Sequence, residues 1–105
     1  MNVPEIKITI IGASKKLSET ITSSIKEGRP YKYVHSRLLV SRLQAVKYDI
    51  KDLPEEEQIK EMRNVLIAER NIASIAADQY AELNKQDIFE DLIEIIEEID
   101  NILNQ

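Results

Sequence analysis

The chain has 105 residues, which suits one domain with a modest core, so we expect a single domain spanning residues 1–105. It contains no cysteine, which excludes disulfide bonds and zinc–thiolate sites. Its first residues show no basic stretch followed by an apolar run, and no apolar run approaches the ~20 residues that span a bilayer. We therefore expect a cytoplasmic protein without a signal peptide or membrane contact, and the net charge of −5 argues against general nucleic-acid binding.

The first predicted element is ambiguous. Residues 5–11 alternate polar and apolar side chains and are rich in isoleucine, which is typical of a strand. The wider spacing of apolar residues equally fits one helix over residues 4–27. No second strand is visible in the sequence, so a strand here would pair with another chain and present Ile6, Ile8 and Ile10 to it.

Composition and helix stop signals predict a mainly α fold, a small antiparallel bundle of about four helices. The chain has only two glycines and three prolines, and Gly28 lies where a helix would stop. Pro54 precedes three glutamates, as in a first helical turn, and Asp87 and Glu90 have the spacing of a capping box. Short links favour antiparallel neighbours. The predicted helices lie near residues 14–27, 31–50, 54–83 and 87–103.

The second predicted helix carries apolar residues on two faces. Leu39 and Leu43 lie on one face, and Val34, Leu38 and Tyr48 lie on the other. Such a helix needs cover on both sides, so it is either central to the bundle or shared with another subunit. The predicted interface residues are Ile6, Ile8, Ile10, Val34, Leu38 and Tyr48.

Charge is distributed unevenly along the chain. Residues 1–50 carry nine Lys and Arg against four Asp and Glu, a net charge of +5, whereas residues 51–105 carry a net charge of −10. Basic helices can pack beside acidic ones within the fold and cancel this difference. Alternatively, the molecule has one basic and one acidic face and meets a second copy or a partner through them.

Residues 26–37 form the densest basic segment, where a loop leads into the second helix. Backbone amides at a helix start favour anions, and tyrosines can stack on bases. The segment predicts a binding site for a phosphorylated ligand or nucleic acid, although it lacks the glycine pattern of a phosphate loop. The alternative is a solvated turn whose tyrosines anchor the end of the bundle. The candidate ligand-binding residues are Arg29, Tyr31, Lys32, Tyr33, His35 and Arg37.

Two charged residues lie among apolar positions. Glu69 falls within the apolar arc of the third predicted helix, and Arg42 lies between the two apolar faces of the second. A buried carboxylate needs a partner or a proton, so we expect these two to form a buried polar pair in the bundle or across a subunit interface. The catalytic alternative makes Glu69 a general base beside His35 or Arg42, but nothing else completes a catalytic set.

The last helix carries an acidic ladder. Glu94, Glu97 and Asp100 resemble the Glu-x-x-Glu and Glu-x-x-Asp spacings that hold magnesium in all-α nucleotide pyrophosphohydrolases. That resemblance implies a magnesium-dependent enzyme, yet it covers seven residues and lacks a second carboxylate pair on the third helix. The alternative is the solvated face of an amphipathic helix.

These observations favour a non-enzymatic helical interaction protein, such as an adaptor, inhibitor or regulator, acting on a protein partner or as a homo-oligomer. His35 is the only histidine, and no serine has a histidine–acid context. We therefore predict no catalytic residue, no metal site and no cofactor. The alternatives are the binder of a phosphorylated ligand or nucleic acid and the magnesium-dependent enzyme.

Overall fold

The computed structural model describes residues 10–104, with side chains from residue 12 onward, as four helices joined by short links. The predicted mainly α bundle is confirmed, and no strand occurs within this described range. The helices are α1 (Ile10–Glu27), α2 (Pro30–Asp49), α3 (Glu55–Glu82) and α4 (Gln86–Leu103).

At residues 10 and 11 the strand alternative is wrong and the helical alternative is confirmed. Ile10 and Ile11 are the first residues of α1. Residues 5–9, which include the predicted interface positions Ile6 and Ile8, lie outside the described residues.

Helices α1 and α3 end with the same backbone motif. Gly28 has a φ of +66°, and the amide that follows it donates to the Ser24 carbonyl at 2.9 Å. Asn84 has a φ of +57°, and the amide that follows it donates to the Tyr80 carbonyl, also at 2.9 Å. A left-handed residue with this hydrogen bond is a Schellman motif, which glycine and asparagine accommodate at low steric cost. The chain therefore turns sharply after α1 and after α3.

The predicted helix starts are mostly observed. Pro30 is the first residue of α2, and Pro54 immediately precedes the three glutamates in the first turn of α3. The predicted capping box is wrong, because α4 begins at Gln86 and Asp87 lies within its first turn without a capping hydrogen bond. Asp87 there still opposes the positive end of the helix dipole.

The fold is two helical hairpins placed side by side, with α2 in contact with all three other helices. The short links make α1 and α2 antiparallel, and likewise α3 and α4. Across the hairpins, Arg29, the N-cap residue of α2, contacts Asp91 of α4. Further along both helices, Leu39 and Ile99 line a common groove, so α2 and α4 are parallel. The result is an up–down–up–down bundle.

The core is aliphatic, as expected of a chain with one phenylalanine and no tryptophan. Each fully buried leucine or isoleucine stabilises the fold by about 2 kcal/mol relative to an exposed one. The main cluster joins all four helices and comprises Ala13, Leu17, Leu39, Leu43, Met62, Leu66, Ile95, Ile99 and Ile102. A second cluster lies between α3 and α4 near their link and comprises Ala73, Ala77, Ile88 and Leu92.

Candidate functional site

A buried carboxylate joins the start of α2 to α4. Asp91 is 5% exposed, and its Oδ1 accepts hydrogen bonds from Arg29 Nε at 2.8 Å and Nη2 at 2.6 Å. Its Oδ2 accepts the backbone amide of Lys32 at 3.2 Å. Lys32 is the third residue of α2, where backbone amides lack helical partners, and Arg29 makes no side-chain cap. Asp91 therefore caps α2 from another helix, the role usually taken by a local side chain.

Glu94 completes this junction. It contacts the Arg29 guanidinium, and its Oε1 lies 3.5 Å from Lys32 Nζ. Two cations from the basic half of the chain are thus paired with two carboxylates from the acidic half. At this end of the molecule, basic and acidic helices pack side by side and cancel part of the charge difference. A cavity of about 330 Å³ opens beside the junction and is lined by Gly28, Arg29, Pro30, Tyr31, Asp87, Glu90, Asp91 and Glu94.

Sequence reasoning overlooked Asp91, although a signal was present. It lies three residues after Ile88 and four before Ile95, so it interrupts the apolar stripe of α4. The same signal led us to Glu69. A charged residue at a core position needs a partner, and Arg29 supplies it.

The structure brings Arg42 and Glu69 together as an ion pair, with Arg42 Nη1 against Glu69 Oε1. The pair is not enclosed, because the Arg42 side chain is 51% exposed and that of Glu69 is 18% exposed. The expectation of a buried pair is therefore corrected to a pair at the rim of the bundle. A long arginine side chain can cover apolar surface with its stem while its charged end stays hydrated.

The Arg42–Glu69 pair borders a groove between α2 and α3. The groove has a volume of about 150 Å³, and Ile95 and Ile99 of α4 also line it. It is open partly because Ala73 and Ala76 of α3 are too short to fill the space in front of α2. Its remaining lining residues are His35, Leu38 and Leu39 from α2 and Ile72 from α3.

Exposed apolar side chains flank this groove on both helices. On α2, Val34 and Leu38 are each 49% exposed, and on α3, Ile72 and Ile75 are 55% and 62% exposed. Val34 and Leu38 are one turn apart, as are Ile72 and Ile75, and the groove joins Leu38 to Ile72. We call these four residues the α2–α3 face. Within the described part of the chain, only one of the two apolar faces of α2 is covered.

The other predicted interface positions are separate from this face. Tyr48 is exposed about 15 Å further along α2 from Leu38, with the Lys51 ammonium 4.7 Å from its ring centre. Ile10 begins α1. The α2–α3 face thus contains Val34 and Leu38 of the predicted set, together with two α3 residues that the sequence did not single out.

His35 lies in the wall of the groove, where its environment changes its acidity. Burial lowers the pKa of the imidazole from its ordinary value of 6.5, while the carboxylates of Asp91 and Glu69 act in the opposite direction. The fold therefore favours the neutral ring. The carboxylate of Glu69, the candidate base, is paired with the guanidinium of Arg42.

The six predicted ligand-binding residues do not form one site. Arg29 and Lys32 face α4 and are paired there, whereas His35 faces the groove. Tyr33 and Arg37 pair with each other, the Arg37 guanidinium donating to Tyr33 Oη at 2.9 Å. Successive helical residues point 100° apart, so a dense run of cations along α2 is spread around its circumference. Tyr31 is exposed and lines the cavity beside the junction.

Two carboxylates of the acidic ladder of α4 form ion pairs with arginines. Glu94 contacts Arg29, and Arg70 Nε of α3 donates to Asp100 Oδ1 at 2.5 Å. That hydrogen bond raises the pKa of the Arg70 guanidinium. Glu97 is exposed, as the solvated-face alternative expects. The described residues contain no group of three or more His, Cys, Asp or Glu side chains arranged to hold a metal ion.

No protein-family model, curated protein or solved structure matches this chain. None of the helices described here is both long enough and apolar enough to cross a bilayer. The candidate function therefore rests on the geometry of the α2–α3 face and the α2–α4 junction.

Proposed function

We propose that this chain is a non-enzymatic interaction protein that binds a protein partner through the α2–α3 face. The observation that carries the proposal is a groove lined by the exposed Leu38 and Ile72 of two neighbouring helices, with one further exposed aliphatic residue, Val34 or Ile75, one turn away on each helix. Contiguous apolar surface beside a groove, bordered by polar residues, is typical of protein interaction sites.

Exposed apolar residues elsewhere on the surface differ from those of the α2–α3 face. Ile25 on α1 is 63% exposed and Leu53 lies in the α2–α3 link, and neither belongs to the groove. Single exposed aliphatic residues are ordinary on protein surfaces and indicate nothing by themselves. The α2–α3 face differs because its members lie at consecutive turns of two adjacent helices.

The α2–α4 junction supports this function over anion binding. A phosphate at the start of α2 would have to compete with Asp91 and Glu94 for Arg29, and with Asp91 for the Lys32 amide. The place that a helix N-terminus offers to an anion is therefore taken by the carboxylate of Asp91. Changing Arg29 would also perturb the fold, so its loss cannot serve as a clean test of ligand binding.

Photo-crosslinking in cells tests the proposal. A benzophenone amino acid is placed at Leu38 or Ile72, and the same probe at Ile25 is the matched control, since that isoleucine is at least as exposed and lies on a different helix. We expect protein adducts from positions 38 and 72 and few from position 25. The adduct at position 38 should disappear when Ile72→Glu is added, because a charge in the centre of an apolar contact is costly.

The partner identified in the adduct should then bind the purified chain and fail to bind the Ile72→Glu variant. Equal adducts at all three positions, or adducts that ignore Ile72→Glu, would contradict the proposal. Circular dichroism of the variant excludes loss of folding as the cause.

A further inference from the structure

We infer that the partner on the α2–α3 face is a second copy of this chain, related by a two-fold axis parallel to the helices, so that each α2 packs on the partner's α3. This inference rests on the proposed function and adds the identity of the partner and the geometry of the contact. A closed two-fold dimer is the commonest symmetric assembly of soluble proteins.

The register of α2 and α3 suits that symmetry. Arg42 is level with Glu69, and Leu38 shares the groove with Ile72, so the two helices are antiparallel and their levels match. A two-fold axis parallel to the helices keeps each residue at its level and exchanges the positions of α2 and α3. Leu38 then faces the partner's Ile72, and the reciprocal contact forms at the same time.

Charge distinguishes this orientation from the other one. An axis perpendicular to the helices would place α2 on α2 and α3 on α3, so Arg42 would not face the partner's Glu69. The parallel axis places each Arg42 opposite the partner's Glu69, which is an attractive pairing.

The Arg42–Glu69 pair at the rim of the groove (the rim pair) fits the same arrangement. Arg42 and Glu69 are level, so the parallel axis brings both pairs together as four alternating charges. Each carboxylate then gains a second guanidinium and each guanidinium a second carboxylate. The dimer would therefore bury the part of Arg42 that is exposed to solvent in a single chain.

The outer surface of α2 and α3 sets an upper limit on the interface. A helix of 20 residues is about 30 Å long, and two helices side by side are about 20 Å wide, so a contact along all of α2 would cover at most roughly 600 Å² per subunit. Both subunits together would then bury at most roughly 1,200 Å², at the lower end of stable protein interfaces. We therefore expect a dimer whose dissociation is measurable.

The chain has no cysteine, so single-cysteine variants report the geometry directly. Leu38→Cys and Ile72→Cys are purified separately, mixed and oxidised. The inferred dimer predicts a disulfide between position 38 of one variant and position 72 of the other, in excess over either symmetric product. Ile25→Cys mixed with Ile72→Cys is the control and should give only slow, random products.

Predominant 38–38 and 72–72 products would overturn the inferred orientation. A wild-type chain that is monomeric at all concentrations in analytical ultracentrifugation would overturn the dimer. If it dimerises, Ile72→Glu should weaken association at least about ten-fold, while Ile25→Glu should leave it unchanged.

These results separate the two proposals. A monomeric chain whose photo-crosslinks identify a different protein overturns the second-copy inference and leaves the interaction function standing. A monomeric chain without specific adducts overturns both.

Discussion

Arg29, the N-cap residue of α2, and Arg42, further along the same helix, show how differently one kind of ion pair can act. Arg29 meets Asp91, a carboxylate that is 5% exposed and also holds a backbone amide of α2. Arg42 meets Glu69 at the rim of a groove and stays half exposed. The Arg29–Asp91 pair stabilises the contact between α2 and α4, because its buried polar atoms all have hydrogen-bond partners. The Arg42–Glu69 pair leaves part of the guanidinium free to form a further contact.

The same difference extends to the surroundings. Around Arg29 the cations and carboxylates of the two halves of the chain neutralise each other. Around Arg42 the neighbouring surface is aliphatic and uncovered within the described residues. One end of α2 therefore stabilises the fold, and the middle of α2 offers an interaction surface.

Removing Asp91 should give the largest effect. Asp91→Ala leaves the partly buried Arg29 without its main partner and the Lys32 amide without its cap, so the free energy of unfolding should fall by about 3 kcal/mol. Urea denaturation measures this, with Asp87→Ala, an exposed carboxylate on the same helix, as control. A loss of unfolding free energy no larger than that of the control would show that the α2–α4 junction does not stabilise the fold.

Ser36, between the two arginines on α2, should give a smaller effect of opposite sign. Its side chain is fully buried, and its hydroxyl has no hydrogen-bond partner among the residues described. Ser36→Ala removes an unpaired polar group and improves helix propensity, so stability should rise by up to about 1 kcal/mol. The melting temperature should rise accordingly, whereas Ser41→Ala, at an exposed position on the same helix, should gain only the propensity part. A destabilised Ser36→Ala would mean that the hydroxyl has a partner.

Arg42 should contribute little to the stability of the isolated chain. Because its guanidinium is half exposed, Arg42→Ala should lower the free energy of unfolding by about 0.5 kcal/mol, far less than Asp91→Ala. The comparison uses the same urea titration at a protein concentration where the chain is monomeric. A loss above about 2 kcal/mol would show that the Arg42–Glu69 pair stabilises the fold as strongly as the Arg29–Asp91 pair does.

The smallest effect should be a pH dependence from His35. Burial lowers its pKa below 6.5, so the unfolded chain takes up a proton more readily than the folded one, and stability falls as the pH drops through about 6.5. His35 is the only histidine, and other side chains titrate mainly outside this window. His35→Gln should remove the decline between about pH 7.5 and 5.5. An unchanged decline in that variant would assign it to another group.

Much of the fold follows from local patterns. Gly28 ends α1 because a left-handed residue is needed there, and Pro54 and its glutamates begin α3 because they suit a first helical turn. The spacing of Ile88, Leu92 and Ile95 predicts the buried stripe of α4. Such features are predictable because each depends on a few residues that are close along the chain.

The candidate site was only partly predictable. The unusual positions of Arg42 and Glu69 on helical wheels predict their pairing, but a wheel does not reveal that the pair lies at a rim. Asp91 carries the same signal, yet its partners Arg29 and Lys32 lie in a segment whose composition predicts a ligand site instead. Which partner a buried charge finds depends on how the two hairpins pack, and that packing has no local signature.

Local sequence patterns specify the four helices, their stops and the two apolar faces of α2, because these arise from interactions within about one helical turn. Which face of α2 is covered depends on packing between helices: Leu39 and Leu43 are buried, while Val34 and Leu38 stay exposed. The same packing allows Asp91 to cap a helix about 60 residues away in the chain. Both outcomes depend on side-by-side packing of distant segments, where the shape and charge of each helix surface select the neighbour.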